Sequence, residues 1–245
     1  LFFYGRFFIS QNVVGRTQRE LNQNLKAAWN VYNGELALLG TVADFIGRLP
    51  HNGTRVGRPE ARALREKYGI DYVLFEPAGA APAGDVRLET RVLSRDELAA
   101  ISPSLAERAF IADAPSPTPL AKRGRSGDVT DGLVMEATAW RRDAAGAPVG
   151  RVRVGKLLNR NFVLVDKIRD ILFEARTHGG TPVGNVTIFL GDRRVTTNVL
   201  ADDGSRAVGT YLSESVYDKV IGEGVSWRDR AFVVNDWYLT AYDPI

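Results

Sequence analysis

Between Thr17 and Gly47 the apolar positions return at steps of three and four: Leu21, Leu25, Ala28, Tyr32, Leu36, Leu39, Ala43 and Ile46. One apolar stripe along a helix of about thirty residues follows from that spacing. Thr17 is placed to cap it, with Glu20 as the capping-box partner, and Leu49-Pro50 before His51-Asn52-Gly53 ends it. A helix of this length either packs along one side of the molecule or forms a parallel dimer seam. PEARALREKYG then reads as a short second helix, with Pro59 in its first turn and Gly69 as its stop.

Further on, the pattern shortens to strand-like runs. IDYVLFEPA reads as a buried strand ending at Pro77, RLETRVLS as a strand, and SRDELAAISPSLAERAF as a helix. Residues 112–131 have loop composition. GLVMEATAWRRD, a turn over Ala144 to Pro148, and VGRVRVGKLLN form a hairpin. NFVLVDKIRDILFEAR carries Phe162, Val165, Ile168, Ile171 and Leu172 at helical spacing. The order then recurs: a strand pair around Gly191-Asp192, a helix opening at Ser213 or Ser215, and a hairpin turning at Asn235 and Asp236. The repeat is one of element order, in about 16–158 and about 160–245, and antiparallel sheets with helices on one face imply an α+β fold.

Composition narrows the function. The chain has 245 residues, 44% of them hydrophobic, which suffices for one large core or two small ones. No apolar run reaches 18 residues, so no segment spans a bilayer by itself. LFFYGRFFIS, interrupted by Gly5 and Arg6, reads either as an apolar end docked on the fold or as the stub of a membrane helix. Without cysteine there is no disulfide, thiolate metal site or Cys nucleophile. The net charge of +3 is scattered, and its one tight group, KRGR at Lys122 to Arg125, lies in a solvated loop, so no nucleic-acid partner is expected. His51 and His178 are isolated in predicted loops, His178 as a helix-ending residue, and neither a zinc ligand set nor a catalytic base emerges. No phosphate-binding loop or nucleophile elbow is present, and no cofactor is expected.

The last sixty residues, from NVTIFLGDRRVTTNVL to RAFVVNDWYLTAYDPI, resemble the Cache domains, the extracytoplasmic PAS-like sensors of bacterial receptors. The resemblance rests on Arg230-Ala231 and on Trp237-Tyr238-Leu239-Thr240-Ala241-Tyr242-Asp243-Pro244, with Asp229 where the family often has Gly. It implies a double-Cache arrangement: an N-terminal membrane-emergent helix over 1–50, a membrane-distal PAS-like module over 51–159 and a membrane-proximal one over 160–245. It also implies that a final strand leading to a second membrane helix lies beyond Ile245. Neither the R-x-W-Y amino-acid motif nor the Arg and His set of citrate sensors is present.

Physical reading of the hairpin supplies a candidate site. Tyr238, Thr240 and Tyr242 share one strand face, Arg230 lies with Phe232 on the partner strand, Trp227 enters just before, and Tyr211 and Tyr217 flank the helix. An arginine forked onto a carboxylate and walled by tyrosines is an organic-acid site. By the double-Cache resemblance, Tyr72, Trp140, Arg141 and Arg153 form the alternative distal pocket. The expectation is a non-enzymatic, periplasmic sensing region of a histidine kinase or chemoreceptor. It binds a small anionic metabolite, dimerises through the N-terminal helix, and meets the membrane only through segments outside this chain. The alternatives are a ligand-free dimerisation and relay module and a secreted enzyme.

Overall fold

The computed structural model describes residues 2–49, 63, 65–77, 84–114, 120–121, 127–174, 177–178, 181–234 and 236–245. The chain divides into two compact units, Tyr32–Ala112 with Asp128–Asn161, and Leu1–Val31 with Asp113–Gly127 and Phe162–Ile245. We call them the four-stranded unit and the C-terminal unit. Helix α1 spans Phe2–Arg48 and contributes to both. It begins well before Thr17, which is helical and therefore not its cap. The stretch lacks proline, and its glycines alone do not break a helix. The helix expected from Pro59 onward lies mostly outside the described residues; Arg65–Tyr68 are helical and end at Gly69. None of the described helices is long and apolar enough to cross a membrane.

In the four-stranded unit, β1 (Tyr72–Pro77), β2 (Val86–Leu93), β3 (Gly132–Arg142) and β4 (Pro148–Leu157) form an antiparallel sheet in the order β1-β4-β3-β2. Alternation sorts its side chains. One face carries Met135, Ala137, Ala139, Val152 and Val154, all buried. Against it lies α1, whose Tyr32, Leu39, Ala43 and Ile46 are the buried part of the predicted stripe. Tyr32 shares a 2.8 Å hydrogen bond with Thr90, and Lys156 donates to Glu35 at 2.9 Å. The approach is closest at Gly47, where an added Cβ would stand 2.2 Å from the Trp140 carbonyl oxygen.

The other face is covered at one end by α2 (Arg95–Ile101) and α3 (Pro103–Ala109). These replace the single helix expected over SRDELAAISPSLAERAF. Pro103 disfavours a helical residue before it, and Ser102 is extended at φ −165°, ψ 131°. A capping box between Ser94 and Glu97 starts α2. Leu98, Leu105, Ala106 and Ala109 pack on Tyr72, Leu93, Val134 and Leu157.

The C-terminal unit follows with α4 (Phe162–Phe173), β5 (Thr177–His178), β6 (Thr181–Pro182), β7 (Thr187–Leu190) and β8 (Arg193–Thr197). His178 thus sits in a short strand, not at the helix end. Next come α5 (Glu214–Val216), which runs into a π-helical turn at Tyr217–Gly222, and β9 (Trp227–Val233) with β10 (Asp236–Tyr242). Ser213 holds the cap position of α5 without a side-chain capping bond. Val233 pairs with Asp236, so the hairpin turns at Val234 and Asn235, one residue earlier than expected; Asn235 lies outside the described residues. The ladders β5–β6, β7–β8 and β9–β10 are all antiparallel. The other edge of β8 is taken by the irregular segment that follows: Arg194 donates its amide to Thr210 at 3.0 Å and accepts from Gly209 at 2.8 Å.

Two glycines of α1, Gly47 and Gly34, differ in what surrounds them. Gly47→Ala is expected to destabilise the chain by about 3 kcal/mol, because a backbone carbonyl cannot yield cheaply. A Cβ on Gly34 meets nothing within 4 Å, so Gly34→Ala is expected to add about 0.5 kcal/mol of stability. Urea unfolding of both variants measures this; equal effects would contradict the packing described.

Candidate ligand site

The register of the C-terminal hairpin separates the residues expected to converge. Tyr238, Thr240 and Tyr242 pair with Ala231, Asp229 and Trp227, whereas Arg230 pairs with Leu239 and Phe232 with Trp237. Facing residues in a ladder share a side, so Arg230 lies on the face opposite the tyrosines. There its guanidinium stands 5.8 Å from the Trp237 ring, which meets Phe232 edge-on at 5.7 Å. Arg230 and Tyr238 are exposed. Trp227 Nε1 donates to Thr240 Oγ1 at 3.1 Å and Thr240 donates to the Asp229 carbonyl at 2.9 Å, so these two side chains close a local cross-strand network.

Tyr242 turns inward and meets a cation that the sequence pattern did not single out. Its ring packs 6.0 Å from Phe189 of β7, in a cluster with Leu212, Val216, Val220, Ala231, Tyr217 and Trp227. Beside it is Arg194, among the largest fully buried side chains of the chain, at 1% exposure. Both protons of Arg194 Nη1 are engaged, by Thr210 Oγ1 at 2.6 Å and the Tyr211 carbonyl at 3.0 Å. Its Nε is buried without an acceptor among the described residues. The hydroxyl of Thr196, buried and likewise unpartnered there, lies on the other face, because a register shift sets Arg194 opposite Phe189 and Thr196 opposite Ile188. The Phe189 ring lies 5.1 Å from the guanidinium. Burial pushes the Arg194 guanidinium below its usual value, and it also raises the Tyr242 phenol, with the arginine and a hydrogen bond to Thr240 offsetting part of that rise. An arginine stays charged under such pressure, so this face of β8 holds an internal cation. The legible signal was RRVTT, a run of polar residues on a strand flanked by apolar ones.

Neighbouring arginines differ from Arg194 in having anions. Arg193, on the opposite face of β8, reaches Asp113 at 2.6 Å and also donates to the Gly127 carbonyl. Its guanidinium covers the Tyr211 ring at 3.9 Å, and the Tyr211 hydroxyl donates to the same Asp113 at 2.9 Å. Asp113 is held below its ordinary range by the Gly127 amide first, then by Arg193 and Tyr211. Arg206 pairs with Asp166 at 2.7 Å and Arg228 with Asp243 at 2.8 Å.

The four-stranded unit brings together Tyr72, Arg153 and Trp140 on one sheet face, while alternation puts Arg141 on the other. Tyr72, Gly155 and Glu136 form one row across β1, β4 and β3. The Tyr72 ring crosses over Gly155, where a Cβ would come within 2.0 Å, and its hydroxyl donates to Glu136 at 2.7 Å. Glu136, 1% exposed at its side chain, also accepts from Arg91 at 3.0 Å and pairs with Arg153 at 3.1 Å. Arg153 and Arg151 both reach Glu76, at 2.7 and 3.0 Å. Burial, then the Glu136 carboxylate, drives the Tyr72 phenol well above its usual range. These charges answer one another inside the protein.

Asp243, next to Tyr242, gathers donors from distant parts of the C-terminal unit: Trp29 Nε1 of α1 at 3.1 Å, the Ser226 hydroxyl, and Arg228, which also donates to Asn22 of α1 at 2.7 Å. Desolvation pushes its carboxyl up, but Ser226, Arg228 and Trp29 together hold it below the usual range. A carboxyl depressed on folding stabilises above the unfolded value near pH 4, and that contribution is lost as pH falls through the folded one. Asp243→Asn is therefore expected to weaken stability at neutral pH by about 1 kcal/mol and to flatten its decline between about pH 5 and pH 3. Urea unfolding across that range measures it; an unaltered acid profile would rule the clasp out.

Comparison with known proteins agrees with the C-terminal motif. Residues 156–245 match the family model of single Cache domain 3. The periplasmic domain of Vibrio cholerae LuxQ is similar at 16% identity and a TM-score of 0.42, over 76% of this chain and 82% of that one. No curated protein sequence matches the chain. Residues 156–245, which carry both Arg194 and Tyr242, are thus similar to the Cache sensor domains.

Proposed function

We propose that this chain is the extracytoplasmic sensing region of a transmembrane receptor, a histidine kinase or chemoreceptor, and that its C-terminal unit binds a small anionic metabolite. The observation that carries this reading is a buried cation, walled by aromatic rings, inside the Cache-matched segment. A desolvated guanidinium without an anion costs several kcal/mol, and a bound anion removes that penalty. The four-stranded unit is the weaker candidate, because Arg91, Arg151 and Arg153 each already meet a carboxylate, Glu136 or Glu76. The Asp243 clasp supports a signalling role, since it ties the strand that ends at Tyr242 to α1.

A second reading, dimerisation and relay along α1, is favoured by the outward side of the helix. Gly34, Leu38, Thr41 and Phe45 follow one another at steps of four, three and four and are all exposed, Leu38 at 40% and Phe45 at 55%. That is the spacing of a coiled-coil seam. Sensing and pairing are compatible in one receptor.

Two measurements test these readings. A thermal-shift screen of the chain against organic acids, amino acids and amines is expected to show stabilisation by acids, by about 5 °C or more at a hundredfold excess over Kd. Stabilisation by amines alone would defeat the anionic-ligand reading. Sedimentation is expected to show a dimer that the double variant Leu38→Glu, Phe45→Glu converts to monomer; a wild-type monomer at high micromolar concentration would remove the pairing.

A further inference from the structure

We propose that Arg194 is the anchor for the single carboxylate of a small monocarboxylate with an apolar body, joined by the hydroxyl of Tyr242. The inference rests on the reading that the C-terminal unit senses an anion, and it specifies which atoms receive it and what the rest of the ligand is like.

The guanidinium is oriented before any ligand arrives. Thr210 Oγ1 and the Tyr211 carbonyl take both protons of Nη1, and Thr210 is itself fixed by donating to the Ala207 carbonyl at 2.8 Å. That leaves the edge of the fork that contains Nε, a buried donor with no acceptor among the described residues. This edge presents parallel N–H groups and matches the two oxygens of a carboxylate. Tyr242, whose ring stands with the Arg194 guanidinium against Phe189, supplies a hydroxyl donor on that side.

The charge present sets the number of anionic groups. Arg194 is the cation that influences the ionisation of Tyr242. Arg193 points to the other face of its strand and is neutralised by Asp113, Arg206 by Asp166 and Arg228 by Asp243. A second carboxylate on the ligand would be desolvated with no cation to meet it, which is strongly unfavourable. The surroundings of Tyr242 are instead Phe189, Leu212, Val216, Val220 and Ala231, which suit an alkyl or aryl body. Recognition would thus come from one charge-assisted contact and a short apolar wall.

The test is a titration of the 245-residue chain by thermal shift and calorimetry with acetate, propionate and butyrate, beside acetamide, propionamide and butyramide of matched shape, and succinate and citrate as polyanions. At least one monocarboxylate is expected to bind at least tenfold more tightly than its amide and than either polyanion. Arg194→Gln is expected to abolish that preference, whereas Arg230→Ala leaves it within about twofold. If Arg194→Gln does not fold, Tyr242→Phe, which keeps its shape, is expected to weaken the monocarboxylate by about tenfold. Preference for a polyanion, or for an amine or neutral ligand, overturns the monocarboxylate assignment; the polyanion result leaves the anion-sensing reading standing. Binding by none of the anions overturns both. Monocarboxylate binding that survives Arg194→Gln, or Tyr242→Phe where Arg194→Gln does not fold, overturns Arg194 as the anchor while the sensing reading stands.

Discussion

A guanidinium that leaves water must be given acceptors or an anion, and that single constraint shapes both units of this protein. In the four-stranded unit it is met internally. Arg91 and Arg153 close on Glu136, and Arg153 with Arg151 on Glu76, across all four strands of the sheet. Gly155 makes the arrangement possible by letting the Tyr72 ring lie flat over β4 and reach the same carboxylate. In the C-terminal unit the same constraint is met for Arg193 by Asp113 and, among the described residues, left open at Arg194. Two consecutive arginines on one strand thereby have opposite fates, because successive side chains leave a strand on opposite faces.

The open charge connects with the mechanical parts of the fold through Tyr242 and Asp243. One of these neighbours faces the buried arginine, and the other collects donors from α1 and from the start of β9. A change in the position of the strand end would be felt by the helix directly, through Trp29 and through the Arg228 bond to Asn22. Such coupling acts only if a ligand favours one of two arrangements, which is the physical content of sensing.

Much of the fold was legible. The stripe from Leu21 to Ile46, the hairpin around Ala144 to Pro148 and the helix from Phe162 all rest on local periodicity, which the chain expresses without help from distant residues. The α+β class and the Cache-like C-terminal segment followed from element order and from the W-Y-L-T-A-Y-D-P end. Where local signals misled, a neighbour had overridden them: Pro103 splits one apolar run into two helices, and the proline-free start carries α1 past Thr17.

The site itself was only half legible, for a reason of geometry. Periodicity along β10 sufficed to put Tyr238, Thr240 and Tyr242 on one face, since that is a property of one strand. Which face of β9 they join depends on the register, and the turn at Val234 and Asn235 sets Arg230 against Leu239 on the far side. Likewise RRVTT announced a polar strand, but nothing local distinguishes Arg193 from Arg194. Their difference arises because Asp113, eighty residues earlier, reaches one of them, while Phe189 and Tyr242 enclose the other. Element type and amphipathic stripes are written in neighbouring residues; the pairing of charges is decided by chain segments that meet only when the protein folds.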